Sequence, residues 1–149
     1  MMKVYLDVCC LNRPFDDQMQ DRIRLESEAV LITLSRCQSG EWDLIGSEVV
    51  DFEISKIPND DRRQKVSVLA ALAKFKVTVG EAIKERAGEL QSLGVKPFDA
   101  LHISCAESGV VDVLLTTDDK LLQKTSEKDV VIKIRVANPL EWVMEVTRK

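Results

Sequence analysis

The sequence predicts an α/β fold: a mainly parallel β-sheet covered by helices on both faces. Short apolar, β-branched runs alternate along the chain with longer segments of helical periodicity. Those runs are continuously apolar, unlike strands with one solvated face, so the sheet is expected to be buried on both sides. At 149 residues the chain has room for one core and too little length for two. A single domain spanning 1–149 is therefore expected.

"KVYLD" (3–7) reads as a buried strand ending on a carboxylate, and Asn12 to Asp17 as a loop stiffened by Pro14. "DRIRLESEAVLITLSRCQSG" (21–40) places Ile23, Val30, Leu34 and Cys37 near one helical face and stops at Gly40. "EWDLIGS" (41–47) is a strand, and Ser47 is a plausible N-cap for the helix "EVVDFEISKI", which Pro58 ends. A further helix is expected over about 60–75, then a short strand "KVTVG" (76–80). "EAIKERAGELQSLG" (81–94) is helical, and Pro97 opens the helix "PFDALHISCAESG" from its first turn. The strand "VDVLLTT" (111–117), the short helix "DDKLLQKTS", the strand "VVIKIRV" (130–136) and the helix "NPLEWVMEV" complete the chain.

A hydrophobic share of 45% with 31% charged residues excludes disorder as the default state. The net charge of −4 excludes a wholly basic nucleic-acid binder but leaves room for a local basic patch. None of the four cysteines forms a C-x-x-C pair and there is one histidine, so a structural zinc site is not expected. No segment reads as a signal peptide or a membrane span, so a cytoplasmic protein without membrane contact is expected.

Four carboxylates stand out by context. Ligands of open parallel sheets sit beyond the carboxyl ends of the strands. Asp7 ends the first strand and Asp118 follows "VLLTT", so both are expected at that edge. Projected at 100° per residue, Glu53 falls in the apolar arc of Val49, Val50, Ile54 and Ile57. Glu48 and Asp51 fall outside it. An unpaired carboxylate there is costly and must be paired, protonated or bound to a cation. Asp99 opens a helix that is apolar nearly all round, where the helix dipole also favours it. His102 lies on a similar face and reads first as a hydrogen-bonded core residue. Acids gathered at one edge repel, and hard divalent cations relieve that repulsion. Mg²⁺ or Mn²⁺ suits oxygen ligands, and two ions about 3.5–4 Å apart can activate a water and stabilise the leaving oxygen of a phosphodiester.

The ordered motifs "VYLD", "SEVVDFE", "PFDALHISCA" and "LLTTDDKLL" resemble the PIN-domain family over nearly the whole chain. "LDVCCLNRPFDDQ" is similar to the opening of a PIN subgroup with an Asn-Arg-Pro-Phe-Asp loop. The resemblance implies a three-layer α/β/α sandwich with a mainly parallel five-stranded sheet. It also implies a Mg²⁺- or Mn²⁺-dependent ribonuclease cleaving single-stranded RNA with one or two ions, often the toxin of a toxin–antitoxin pair, and frequently a homodimer. Asp7, Glu53, Asp99 and Asp118 match the family's acidic positions, and Thr116 its polar residue before the last acid. Asp119 and Asn12 are candidate accessory residues, with Asp119 equally readable as an exposed charge at a helix start. Many members carry Thr-Asn or Thr-Ser after the first aspartate; here Val8 and Cys9 stand there, removing a hydroxyl or amide that would orient it. That departure keeps a second reading open, a weakly active or inactive module that binds RNA or an antitoxin.

For the substrate, Arg13 is in position to meet a phosphate, or equally to pair at the surface with Asp16 or Asp17. Residues 56–76 carry Lys56, Arg62, Arg63, Lys65, Lys74 and Lys76 against Asp60 and Asp61, a candidate basic strip. Phe15 and Trp42 are the candidates for base stacking, and Trp142 reads as packing or a dimer contact. A phospho-receiver domain shares the architecture but requires an acidic pair where Val8 follows Asp7.

Overall fold

The computed structural model describes residues 1–148. Five strands, β1 (Lys3–Leu6), β2 (Asp43–Ser47), β3 (Phe75–Val77), β4 (Val113–Leu115) and β5 (Arg135–Ala137), form one all-parallel sheet in the order β3-β2-β1-β4-β5. β1 is central and pairs on both sides, and its last three residues are buried. Val4 and Tyr5 are fully buried, and Val4 pairs with both Leu44 and Val113. The chain steps outward from β1 through β2 to β3, then returns to β1's other side as β4. That reversal leaves a crevice beyond the carboxyl ends of β1 and β4.

Among the described residues eight α-helices flank the strands: α1 (Val8–Asn12), α2 (Asp21–Gln38), α3 (Glu48–Ser55), α4 (Asp60–Ala70), α5 (Glu81–Ser92), α6 (Pro97–Ser108), α7 (Asp119–Thr125) and, after the last strand, α8 (Pro139–Val146). α2 packs on α8 and α5 on α6, while α6 lies against β2, β3 and β4. The Trp42 and Trp142 rings meet edge-on at 4.9 Å, joining the start of β2 to α8. None of the described helices is long and apolar enough to cross a membrane.

The structure departs from the sequence reading in several places: the strands expected over 41–47, 76–80 and 111–117 are Asp43–Ser47, Phe75–Val77 and Val113–Leu115. The expected strand over 130–136 shrinks to Arg135–Ala137, because the three residues of β4 are its partners. The approach to it is held instead by side chains: Lys133 N–H donates to Glu107 at 2.8 Å and Arg86 to the Val131 carbonyl at 2.7 Å. The helix expected to reach residue 75 stops at Ala70, where Lys74 N–H bonds to Leu44 C=O at 2.8 Å and draws the chain into the sheet. The expected loop at Asn12 to Asp17 is a 3₁₀ turn over Arg13–Phe15, and the residues before it form α1.

That turn is fastened by a buried carboxylate. Glu26, 1% exposed, accepts from Arg13 Nε at 2.9 Å, Arg22 Nε at 3.2 Å and Asn138 Nδ2 at 2.6 Å. One side chain thus ties α2 to the turn and to the cap of α8. Removing it leaves Arg13 and Asn138 short of partners. We expect Glu26→Ala to cost about 3 kcal/mol, lowering Tm by roughly 10 °C in a thermal melt.

Candidate active site

Asp7 follows the last residue of β1 and caps α1. Its Oδ1 accepts from the Cys10 N–H at 3.1 Å and from the Cys9 thiol at 2.8 Å. Cys9 Sγ also lies 3.5 Å from Thr116 Oγ1 and accepts from the Thr117 N–H at 3.4 Å. The thiol therefore makes the orienting contact whose loss the sequence reading inferred from the missing hydroxyl. Burial, first of all, pushes the Asp7 carboxyl well up. Hydrogen bonds, from Cys10 foremost, hold the Cys9 thiol down at about 5 against its own burial.

Thr116, fully buried after β4, accepts from the Asp118 N–H at 3.1 Å, while its own N–H bonds Ala137 C=O at 3.0 Å. Asp118 caps α7 through one oxygen, accepting from Lys120 N–H at 2.9 Å and Leu121 N–H at 3.3 Å. Glu53, half-buried on α3, bonds His102 Nε2 on α6. His102 Nδ1 lies 2.6 Å from the Tyr5 hydroxyl, which lies 2.7 Å from Ser47 Oγ. Burial pushes the Tyr5 hydroxyl far up, so it keeps its proton. The ordering that satisfies every group runs from Ser47 to Tyr5, Tyr5 to His102 Nδ1, and His102 Nε2–H to Glu53. Sequence reasoning treated His102 as a core histidine and missed that its partner is Glu53; Ser47 was legible only as the N-cap of α3, Cys9 only as a lost hydroxyl, and Tyr5 carried no signal of its own.

Asp99 stands in the first turn of α6 with its carboxyl pushed up to about 6. Burial contributes most, then the charges of Asp118 and Asp7, and after the opposing effect of His102 that of Glu53. Among the described residues Asp7, Asp99 and Asp118 have no lysine, arginine or histidine within salt-bridge reach, and Glu53 has His102 alone. The four acids are more widely spaced than Asp7, Cys9 and Cys10, whose donor atoms lie within 4.8 Å of one another. Two openings adjoin the acids. A cavity of about 180 Å³ is lined by Lys96, Asp99, Asp118, Lys120 and Lys124, and a cleft of about 670 Å³ by Arg13, Arg22, Lys96, Asp118 and Lys120. Another cleft of about 710 Å³, between α3 and α4, contains none of the four acids.

Other sequence-predicted residues lie apart from the acids or are engaged elsewhere. Asp119 is exposed and takes both terminal nitrogens of Arg22, at 2.7 and 2.6 Å. Asn12 anchors the turn, donating to Val8 C=O and accepting from Arg62 at 3.3 Å. Arg13 is shared between Glu26 and Asp16, and Arg62 reaches Asp16 at 2.7 Å. Arg63 pairs with Asp60, Lys65 with Asp61, Lys74 with Asp43 and Lys76 with Asp51. The basic strip is therefore largely neutralised by its own neighbours; Lys56 alone of its six cations has no ion pair among the described residues, and its ammonium lies 5.1 Å from the Phe52 ring centroid. Phe15 packs on the core and Trp42 is 7% exposed, so neither is a free stacking surface.

The family model described as "PIN domain" matches residues 4–128. The chain belongs to the PIN-domain family. PIN domains are nucleases, and the five-stranded parallel sheet flanked by helices is their α/β/α fold. Among solved structures, this PIN domain is similar to VapBC2 from Rickettsia felis bound to a DNA fragment from its promoter, with a TM-score of 0.56 and 15% identity over 92% of this chain and 98% of that one. It is also similar to VapBC-1 from nontypeable Haemophilus influenzae, with a TM-score of 0.55 and 16% identity over 93% and 98%. PAE2754 from Pyrobaculum aerophilum gives 0.54 and 14% over 97% and 98%. At such identities the likeness is one of fold. A comparison with curated proteins finds no match.

The raised Asp99 carboxyl has a consequence for stability. The folded state holds that proton more tightly than the unfolded chain, whose value is 3.8. The penalty is therefore absent below that pH, grows as pH rises and is complete above about 6. In chelator at pH 7–8, Asp99→Asn should be the more stable protein by about 1 kcal/mol after allowance for partial exposure, raising Tm by roughly 2–4 °C. Melts from pH 4 to 8 should show the gap closing at the acid end.

Proposed function

We propose that this PIN domain, one domain over its length, is a metal-dependent endoribonuclease cutting single-stranded RNA. Asp7, Glu53, Asp99 and Asp118 would hold one or two Mg²⁺ or Mn²⁺ ions. The observation that carries this reading is the accumulation of acids from four separate elements with no lysine or arginine to neutralise them. The donor set fits such ions: carboxylate oxygens dominate it, and Mg²⁺ retains waters, so the acids need not all close on one point. When bound, the ions supply charge stabilisation of the phosphodiester and of the attacking water.

The chain's own groups hold the acids in place. The Cys9 thiol and Cys10 N–H fix Asp7, the α7 N–H groups fix one oxygen of Asp118 and leave the other free, and His102 fixes Glu53. Lys96 and Lys120 line both openings beside Asp118 and have no ion-pair partner among the described residues. They are better placed for RNA phosphates than the self-neutralised strip over 56–76. The family resemblance adds a role as the toxin of a toxin–antitoxin pair, with an antitoxin partner, a homodimeric state and a cytoplasmic location.

Purified protein should cleave single-stranded RNA in Mg²⁺ or Mn²⁺, stop in EDTA and resume when the ion is restored. Asp99→Asn should lose cleavage by at least 100-fold while remaining folded; undiminished cleavage would remove Asp99 from the mechanism. Tight Mn²⁺ uptake in calorimetry without turnover of any RNA would instead favour the binding module.

Cys9 offers a separate test. Losing a group that orients a metal-binding carboxylate typically costs 10–100-fold in affinity. Cys9→Ala should therefore weaken Mn²⁺ binding by about tenfold, and Cys9→Ser should recover most of it. Equal affinities would show that the thiol does not position Asp7.

A further inference from the structure

Phe52 and Phe98 immediately precede Glu53 and Asp99. Their rings stack with centroids 5.9 Å apart and planes within 15°. Even so, 49% and 44% of their surfaces stay open. Two helices that each supply an acid thus each carry an aromatic ring outward beside it. The Lys56 ammonium near the Phe52 ring is a cation–π arrangement. The residues flanking the pair, Asp51, Glu53, Lys56, Lys96 and Asp99, are charged. The exposed rings thus have charged sequence neighbours on both helices, whereas the core of a protein interface is depleted of charge.

We propose that the Phe52–Phe98 pair is a stacking platform for an unpaired nucleobase of the RNA, adjoining the scissile phosphate. The inference rests on the nuclease reading above and supplies the substrate contact that Phe15 and Trp42 cannot make. A flat π-face accepts any base, so the platform sets strandedness and not sequence. Bases within a duplex remain stacked on one another, which directs the site to single strands. Lys56, beside the Phe52 ring, and Lys96, two residues before Phe98, supply charge for the neighbouring phosphates.

The test uses Asp118→Asn protein in Mg²⁺, so that bound RNA is not cut, and a single-stranded RNA carrying 2-aminopurine at successive positions. Stacking should quench the fluorescence at one position, and duplex RNA should show no quenching. Phe52→Leu and Phe98→Leu, made in the same background, should each weaken RNA binding by roughly tenfold and remove the quench. Phe98→Tyr should restore both, and Mn²⁺ titration should be unchanged throughout. If the leucine variants bind RNA as tightly and quench equally while the native chain cleaves RNA, the platform is refuted and the nuclease reading stands. If they leave RNA binding intact but dissociate a dimer in sedimentation, the rings form a protein interface and the proposal falls. If the native chain neither binds nor cuts RNA with either ion, both readings fall together.

Discussion

Electrostatic repulsion among carboxylates is the constraint on which the site depends. Asp99 is pushed up to about 6 by burial and by Asp118, Asp7 and Glu53. A fold selected for stability alone would place a lysine or arginine among such acids, or replace one by an amide. The cations are available: Arg13 and Arg22 line the cleft beside Asp118, and Arg62 reaches the same turn as Arg13. They are spent on Glu26, Asp16 and Asp119 instead. Uncompensated charge at the reversal point of a parallel sheet is thus a property of the whole arrangement, and the proposed divalent ions are the species that would relieve it.

Three of the four acids, Asp7, Glu53 and Asp118, are held by hydrogen bonds that fold formation already requires. Asp7 and Asp118 are N-caps, so the interactions that start α1 and α7 also aim their carboxylates. Thr116 joins β4 to β5 through its backbone and receives the Asp118 N–H on its side chain. The relay from Ser47 through Tyr5 and His102 to Glu53 runs through the core, so the position of Glu53 is tied to strand β1. This economy lets strands of three to five residues support the site.

Much of this was legible in the sequence. The alternation of apolar runs with helical periods predicts the parallel sheet; Asp7 and Asp118 stand out by their place at the strand ends, Glu53 by its apolar arc and Asp99 by opening a helix apolar nearly all round. Strand ends were not legible, because the length of β5 is set by its partner β4 and by the Arg86–Glu107 contacts across the fold. Nor could spacing show that Arg62 would reach back 46 residues to Asp16 and neutralise a strip that looks basic on paper. The Cys9 thiol was read as a lost hydroxyl because residue type alone does not show which way a side chain turns. Phe52 and Phe98 were unremarkable in sequence, since their stacking depends on how α3 meets α6.

The most direct test is anomalous diffraction from a crystal of this chain soaked in Mn²⁺. The account predicts ion density bounded by Asp7, Glu53, Asp99 and Asp118, and its loss in Asp99→Asn crystals soaked the same way. Crystals with no ion there, and with Lys96 or Lys120 folded onto the carboxylates to neutralise them, would contradict it.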